Sequence, residues 1–204
     1  MTIIKHLGHS SFMIKEKNIL IYIDPYNIEQ KTKADIILIT HGHFDHCSQK
    51  DIEKISGSNT RIFCPPDCKH KLSGNIEVML PGMKKEIKKI SIESVPAYNT
   101  NKSFHPKANG WLGYIINVNG IRIYHAGDTD FILEMETLGK IDYALLPVGG
   151  KYTMDAKEAA NAAKKICPRI AVPMHYGSIV GDISDAELFK KLCSCRVEYL
   201  GCKK

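Results

Sequence analysis

Four side chains able to bind a metal crowd into the six residues "HGHFDH": His41, His43, Asp45 and His46. Protonated imidazoles repel one another, and a buried cluster of them has to be neutralised or liganded. Such a cluster reads as a metal site, a pH switch or a polar loop. His41 and His43 lie two apart, so on an extended backbone both imidazoles point the same way. Asp45 and His46 follow as the chain turns. Two metals could divide these groups, His41 and His43 on one, Asp45 and His46 on the other. Imidazole and carboxylate suit zinc, iron and manganese alike.

The remaining ligands have to come from elsewhere, and the elements that carry the candidates agree. "DIILIT" (35–40) is a continuous apolar run ahead of His41 and reads as a strand buried on both faces. Ser48 in "SQKD" then opens a helix by capping-box spacing. Asp128 lies in "YHAGDTD", just past a strand of the hairpin that turns at Asn119-Gly120, and Gly127 allows close backbone approach. His175 ends the strand "RIAVPMH". Every candidate therefore sits at the C-terminal end of a predicted strand, where open α/β sheets place their ligand sites.

Around these, short β-branched strands are predicted at 2–7, 11–16, 19–24, 61–64, 76–80 and 86–95. The second half brings a strand at 142–148 and an alanine-rich helix at 155–166 ending at Pro168. A second helix at 184–193 is opened by a capping box at Ser184, and "RVEYL" closes the chain. The alternation suggests a layered α/β protein forming one domain over residues 1–204. Residues 97–110, "AYNTNKSFHPKANG", make a polar loop too long for a simple turn, and such loops are usually functional or mobile.

With 44% hydrophobic residues, the chain can bury a full core without a structural metal, so a metal would serve chemistry. A net charge of +6 mildly favours anionic ligands. The lysine run "MKKEIKKI" alternates with apolar residues and reads as a strand with a solvated face rather than a nucleic-acid patch. No apolar run approaches the ~18 residues of a membrane span. Seven cysteines and no visible export signal point to reduced thiols and a cytoplasmic location.

"THGHFDH", "AGDT" and "PMHYG" together resemble the metal motifs of the metallo-β-lactamase-fold hydrolases. "LGHSSF" (7–12), "YIDPY" (22–26) and "YHAGDTD" (124–130) are most similar to the branch containing the L-ascorbate-6-phosphate lactonase. The resemblance implies a four-layer αββα sandwich, two mixed sheets flanked by helices, with the site where the sheets meet. It implies two divalent metals, zinc with manganese or iron as alternatives, bridged by Asp128 and a hydroxide. His41 and His43 would hold the first metal, and Asp45, His46 and His175 the second. Asp24 would support the metal loop from behind. Asp45 and His175 would act in catalysis, and His9, in "GHSS", would hydrogen-bond the substrate or a ligand. The implied activity is hydrolysis of an ester, lactone or phosphoester in a small anionic substrate. A nuclease or phosphodiesterase of the same fold and a degenerate-site binding module are the alternatives.

One position departs from the family pattern. A third histidine of the first metal would align with Asn99 in "VPAYN", and an amide oxygen is a poor substitute for imidazole on zinc. His105, six residues on, is the expected replacement ligand, with a substrate contact or a solvated role as the alternative. The paired glycines 149 and 150 read either as an anion cradle or as a strand-to-helix turn. Lys107 reads as a phosphate partner or a solvated side chain, and "CSC" (193–195) as a poor match for structural zinc.

Overall fold

A computed structural model describes residues 2–201. Two mixed sheets carry the chain. The first half forms β1 (Ile3–Gly8), β2 (Ser11–Glu16), β3 (Ile19–Ile23), β4 (Ile36–Leu38), α1 (Gln49–Ile55), β5 (Arg61–Cys64) and β6 (Asn75–Val78). The second forms β7 (Lys84–Ile87), β8 (Ile90–Pro96), β9 (Leu112–Val118), β10 (Ile121–His125), β11 (Tyr143–Pro147), α2 (Ala156–Ile166), β12 (Ile170–Met174), α3 (Ile183–Leu192) and β13 (Arg196–Val197).

The strands of each half run in sequence order, β1 to β6 in one sheet and β7 to β13 in the other. Each sheet starts as an antiparallel meander and continues as parallel strands with crossovers. Parallel pairing needs both faces covered. The fully buried run Ile36, Ile37, Leu38 and Ile39 meets that demand. Ile36 and Leu38 join the main core with Phe12, Tyr114 and Leu145, while Ile37 and Ile39 face a second cluster with Ile52 and Ile55 of α1. On the other sheet, α2 contributes its alanines 156, 159, 160, 162 and 163 to the main core. The result is the expected sandwich of two sheets flanked by helices.

Several boundaries differ from the sequence reading. The run "MKKEIKKI", expected as one strand, is broken by a turn at Lys88 and Lys89, both at positive φ, which joins β7 to β8. β4 stops at Leu38 rather than Thr40, because the Thr40 N–H is taken by a carboxylate, Asp24 Oδ1, at 2.8 Å. α3 is capped by Asp182, two residues before the expected Ser184, through a reciprocal box with Asp185. "RVEYL" contributes only Arg196 and Val197 to a strand. Ser48 and Asp155 cap α1 and α2. Among the described residues, no helix is long and apolar enough to cross a membrane.

Candidate metal centre

The site is assembled from the ends of strands in both sheets. Thr40 and His41 follow β4, Asp128 follows β10 after Ala126 and Gly127, and His175 follows β12 directly. β1 ends immediately before His9, and β3 immediately before Asp24. His9, Asp24 and His175 all take left-handed backbone, with φ of 49°, 43° and 58°. Non-glycine residues held there cost on the order of 1–3 kcal/mol each and concentrate at functional sites. Gly127 also has positive φ, and a Cβ on it would lie 2.5 Å from the Leu112 carbonyl oxygen. Only glycine lets the Asp128 loop close on β9.

The ligand-type side chains gather into three overlapping groups: His41, His43 and His105; His9, Asp45, His46 and His175; and His41, His46 and Asp128. Within each group the potential ligand atoms lie within 4.8 Å of one another. Asp128 stands between the first two. Its Oδ2 is 3.3 Å from His105 Nε2, 3.1 Å from His175 Nε2 and 3.8 Å from His41 Nε2, and its Oδ1 is 3.3 Å from His46 Nε2. All are buried apart from His43, which is half-buried. His46 Nε2, His105 Nε2 and Asp128 Oδ1 make no well-directed hydrogen bond despite full burial. Buried polar atoms left this way are costly, and a set of imidazole nitrogens with one carboxylate is the donor chemistry of a divalent transition metal. The residues fit a metal.

Several of these imidazoles are held by a partner on their far side, which fixes tautomer and direction. Asp24 does this for His46, with Oδ2 accepting from His46 Nδ1 at 2.7 Å and from the Thr40 hydroxyl at 2.6 Å. That hydroxyl lies 3.0 Å from His41 Nδ1, so its oxygen accepts from the ring and leaves His41 Nε2 toward Asp128. Asn99 does it for His105. Its Oδ1 accepts from the His105 backbone N–H at 2.9 Å and lies 3.1 Å from Nδ1, while its amide donates to Asp130 Oδ1 and the Tyr152 carbonyl, both at 3.0 Å. Asn99 therefore stands behind His105, not among the ligand groups. His125 Nε2 donates to the Ser10 carbonyl and its Nδ1 accepts from the Gly127 N–H, tying the His9 loop of one sheet to the Asp128 loop of the other.

The electrostatics follow from burial and pairing. Burial and the neighbouring His46 push the His41 pKa well below its ordinary value. Burial acts the same way on His46, but the Asp128 and Asp24 carboxylates outweigh it and raise its pKa well above normal. Burial works against ionised Asp128, yet the surrounding His175 and His46 hold it well below the usual carboxylate range. Asp45 is likewise lowered against its burial, chiefly by the hydrogen bond from His9. Deprotonated carboxylates and a neutral His41 are the forms that bind a cation.

The structure thus brings together His9, His41, His43, Asp45, His46, His105, Asp128 and His175, every site position expected from the sequence. His9 lands closer than a substrate contact requires, with Nε2 2.9 Å from Asp45 Oδ2 and its ring 4.2 Å from that of His175. Lys107 is engaged by Tyr98 and Glu134, away from a phosphate-binding role. Gly149 serves close approach, since a Cβ there would meet the His175 carbonyl at 2.3 Å. Two contributors escaped the sequence reading. Trp111 packs against the rings of His41, His43 and His105 at 4.9, 5.0 and 5.4 Å, and its Nε1 donates to Asp67. Thr40 carried one signal, its position directly before His41.

Comparison with known proteins adds the family. A β-lactamase superfamily domain model matches residues 3–175. A UPF0173 metal-dependent hydrolase from Thermococcus onnurineus is 36% identical over 217 residues, covering 98% of this chain and 96% of the relative. The chain belongs to the UPF0173 metal-dependent hydrolases of the metallo-β-lactamase superfamily. This UPF0173 hydrolase is also similar to a crystal structure from Parabacteroides distasonis, with TM-score 0.87 and 37% identity over 97% of this chain and 91% of that one. Igni18, a metallo hydrolase from Ignicoccus hospitalis, matches with TM-score 0.76 and 28% identity over 98% and 96% of the two chains. The family makes the protein a metal-dependent hydrolase, and the clustered histidines and aspartates are where this chain offers metal ligands.

Proposed function

We propose that this UPF0173 hydrolase cleaves an ester, lactone or phosphoester bond in a small anionic substrate, using two divalent ions, zinc in the first instance. The observation that carries the reading is Asp128, whose carboxylate reaches histidines of both groups. His41, His43 and His105 would hold one ion, Asp45, His46 and His175 the other, and Asp128 would bridge. Ions so held lower the pKa of water and polarise the bond to be cleaved.

The chain's own residues supply the rest. Asp45, kept ionised by its bond from His9, accepts a hydrogen bond from the attacking water and aims it. His175, together with the ions, would stabilise charge developing on the substrate oxygen. His9 stands at the boundary between these groups and a cavity of ≈ 930 Å³ that also involves Tyr26, Tyr176 and Tyr199. That volume suits a small molecule. Lys5 and Lys190 on its wall are the cations that would meet an anionic group, and Glu29 and Glu187 balance their charge. The likeness of "LGHSSF" and "YIDPY" to the lactonase branch makes phosphorylated lactones the first substrates to try.

Elemental analysis of the purified protein tests the ion count, and a screen of lactones, phosphate esters and phosphodiesters on the metal-loaded form tests the chemistry. Two ions per chain with chelator-sensitive lactone or phosphoester turnover supports the proposal. One ion per chain, or turnover that survives chelation, refutes it. Selective cleavage of RNA with steep salt dependence would replace the small-molecule reading by a nuclease.

A further inference from the structure

Away from the metal centre, α3 ends in the sequence Cys193-Ser194-Cys195. Cys193 caps the helix, its N–H bonded to the Phe189 carbonyl at 2.8 Å, and β13 begins at Arg196. The two sulfurs lie 3.3 Å apart, in hydrogen-bonding contact. Both side chains pack their inner faces on the main core while remaining partly exposed, and Ser194 between them is exposed. Cys47, Cys64 and Cys68, by contrast, are buried. The pair is therefore close enough to join and open enough to meet a dissolved reagent.

We propose that Cys193 and Cys195 form a reversible dithiol–disulfide couple that exchanges with low-molecular-weight disulfides of the glutathione type. The Cys193 thiolate attacks one sulfur of the reagent disulfide. That bond breaks, the leaving thiolate takes up a proton, and a mixed disulfide remains on Cys193. Cys195, after losing its proton, attacks the Cys193 sulfur and displaces the second reagent thiol. The protein loses two hydrogens and gains one sulfur–sulfur bond, and the reagent disulfide is reduced to two thiols.

The order of attack follows from the contact itself. The hydrogen bond from Cys195 brings the Cys193 thiol down to about 7, and the same contact pushes Cys195 up. A thiol whose pKa lies near ambient pH is the favoured attacking group, because it combines thiolate population with nucleophilicity. The couple also sits at the end of the helix whose Ile183, Glu187 and Lys190 line the cavity beside His9.

The test is equilibration of the intact, metal-loaded protein across a series of reduced-to-oxidised glutathione ratios at neutral pH. Free thiols are trapped by alkylation, and the peptide carrying residues 193–195 is read by mass. The expected result is a single transition from the doubly alkylated peptide to an unalkylated one lacking two hydrogens. Cys195→Ser should instead trap one glutathione on residue 193, and Cys193→Ser should leave Cys195 alkylated throughout. A peptide that stays doubly alkylated at the oxidising end overturns the proposal. So does pairing of either cysteine with Cys167 or Cys202, or a trapped glutathione on Cys195 in the wild-type chain.

Discussion

Replacing Asn99 by alanine separates a residue that binds metal from one that aims a ligand. The Asn99 side chain makes four hydrogen bonds: to the His105 N–H and Nδ1, to the Tyr152 carbonyl and to Asp130 Oδ1. Neutral bonds contribute about 1 kcal/mol each and bonds to a charged group about 1.5–3 kcal/mol, which sets an upper figure near 6 kcal/mol. Two partners keep other contacts, which lowers that figure. His105 Nδ1 still has the Tyr152 carbonyl at 3.2 Å, and Asp130 still has the Thr100 N–H and Lys102. The expected destabilisation is therefore about 2–4 kcal/mol. Partners behind a ligating histidine typically govern metal affinity by about 10–100-fold. If the protein binds two ions as proposed, Asn99→Ala should weaken one of them by that factor and leave the other unchanged. Asn99→Asp keeps an acceptor for His105 but sets a carboxylate oxygen against Asp130 and the Tyr152 carbonyl. It should lose at least as much stability while holding the first ion nearly as tightly as wild type. Competition with a chromogenic chelator gives both affinities, and thermal unfolding of the stripped protein gives the stability. Two ions bound with wild-type affinity in Asn99→Ala would refute the aiming role of Asn99, and the placement of His105 among the ligands with it.

Asp24→Asn leaves one oxygen for the Thr40 N–H, the Thr40 hydroxyl and His46 Nδ1, so in either orientation its NH2 faces at least one donor. It should cost about 2–4 kcal/mol of stability and about 10–100-fold in metal affinity, read by unfolding and chelator competition. Gly127→Ala forces a Cβ toward the Leu112 carbonyl oxygen at positive φ and should destabilise by about 3 kcal/mol or more, seen as a lowered Tm or loss of soluble protein. Chelator-stripped protein should be most stable near pH ~6.5, the ordinary histidine value. Below it, His6, His9, His41, His43 and His125, all lowered chiefly by burial, bind fewer protons folded than unfolded, so stability rises with pH. Above it, His46, raised by Asp128 and Asp24 against its burial, loses the proton that stabilises the fold, so stability falls. A Tm that climbs steadily through pH ~8 would contradict the His46 assignment.

Most strands and both long helices were legible because periodicity and turn chemistry are local. The alternation and β-branching of Ser11–Glu16 and Ile19–Ile23, and the Asn119-Gly120 turn, act over a few residues and act the same wherever the segment lies. The element ends were less legible because side-chain hydrogen bonds and pairing decide them. β4 stops where Asp24, from beyond another strand, captures Thr40, and α3 starts where Asp182 and Asp185 close their box. The short reach of Arg196–Val197 depends on pairing with β12.

The ligand set divides along the same line. Residue types and spacing in "HGHFDH", with Asp128 and His175 at other strand ends, pointed to a metal centre and to the residues that could hold it. A six-residue motif is contiguous, and strand ends share one edge of a sheet, so neither requires a distance to be known. The sequence also raised the question of Asn99 and could not answer it. Only the tertiary structure, by returning the loop at 97–110 so that Asn99 lies behind His105 and Trp111 lies against three imidazoles, decided how that side of the site is completed. Direction and burial of a side chain arise from contacts between segments far apart in the chain, and those contacts exist only once the two sheets have packed.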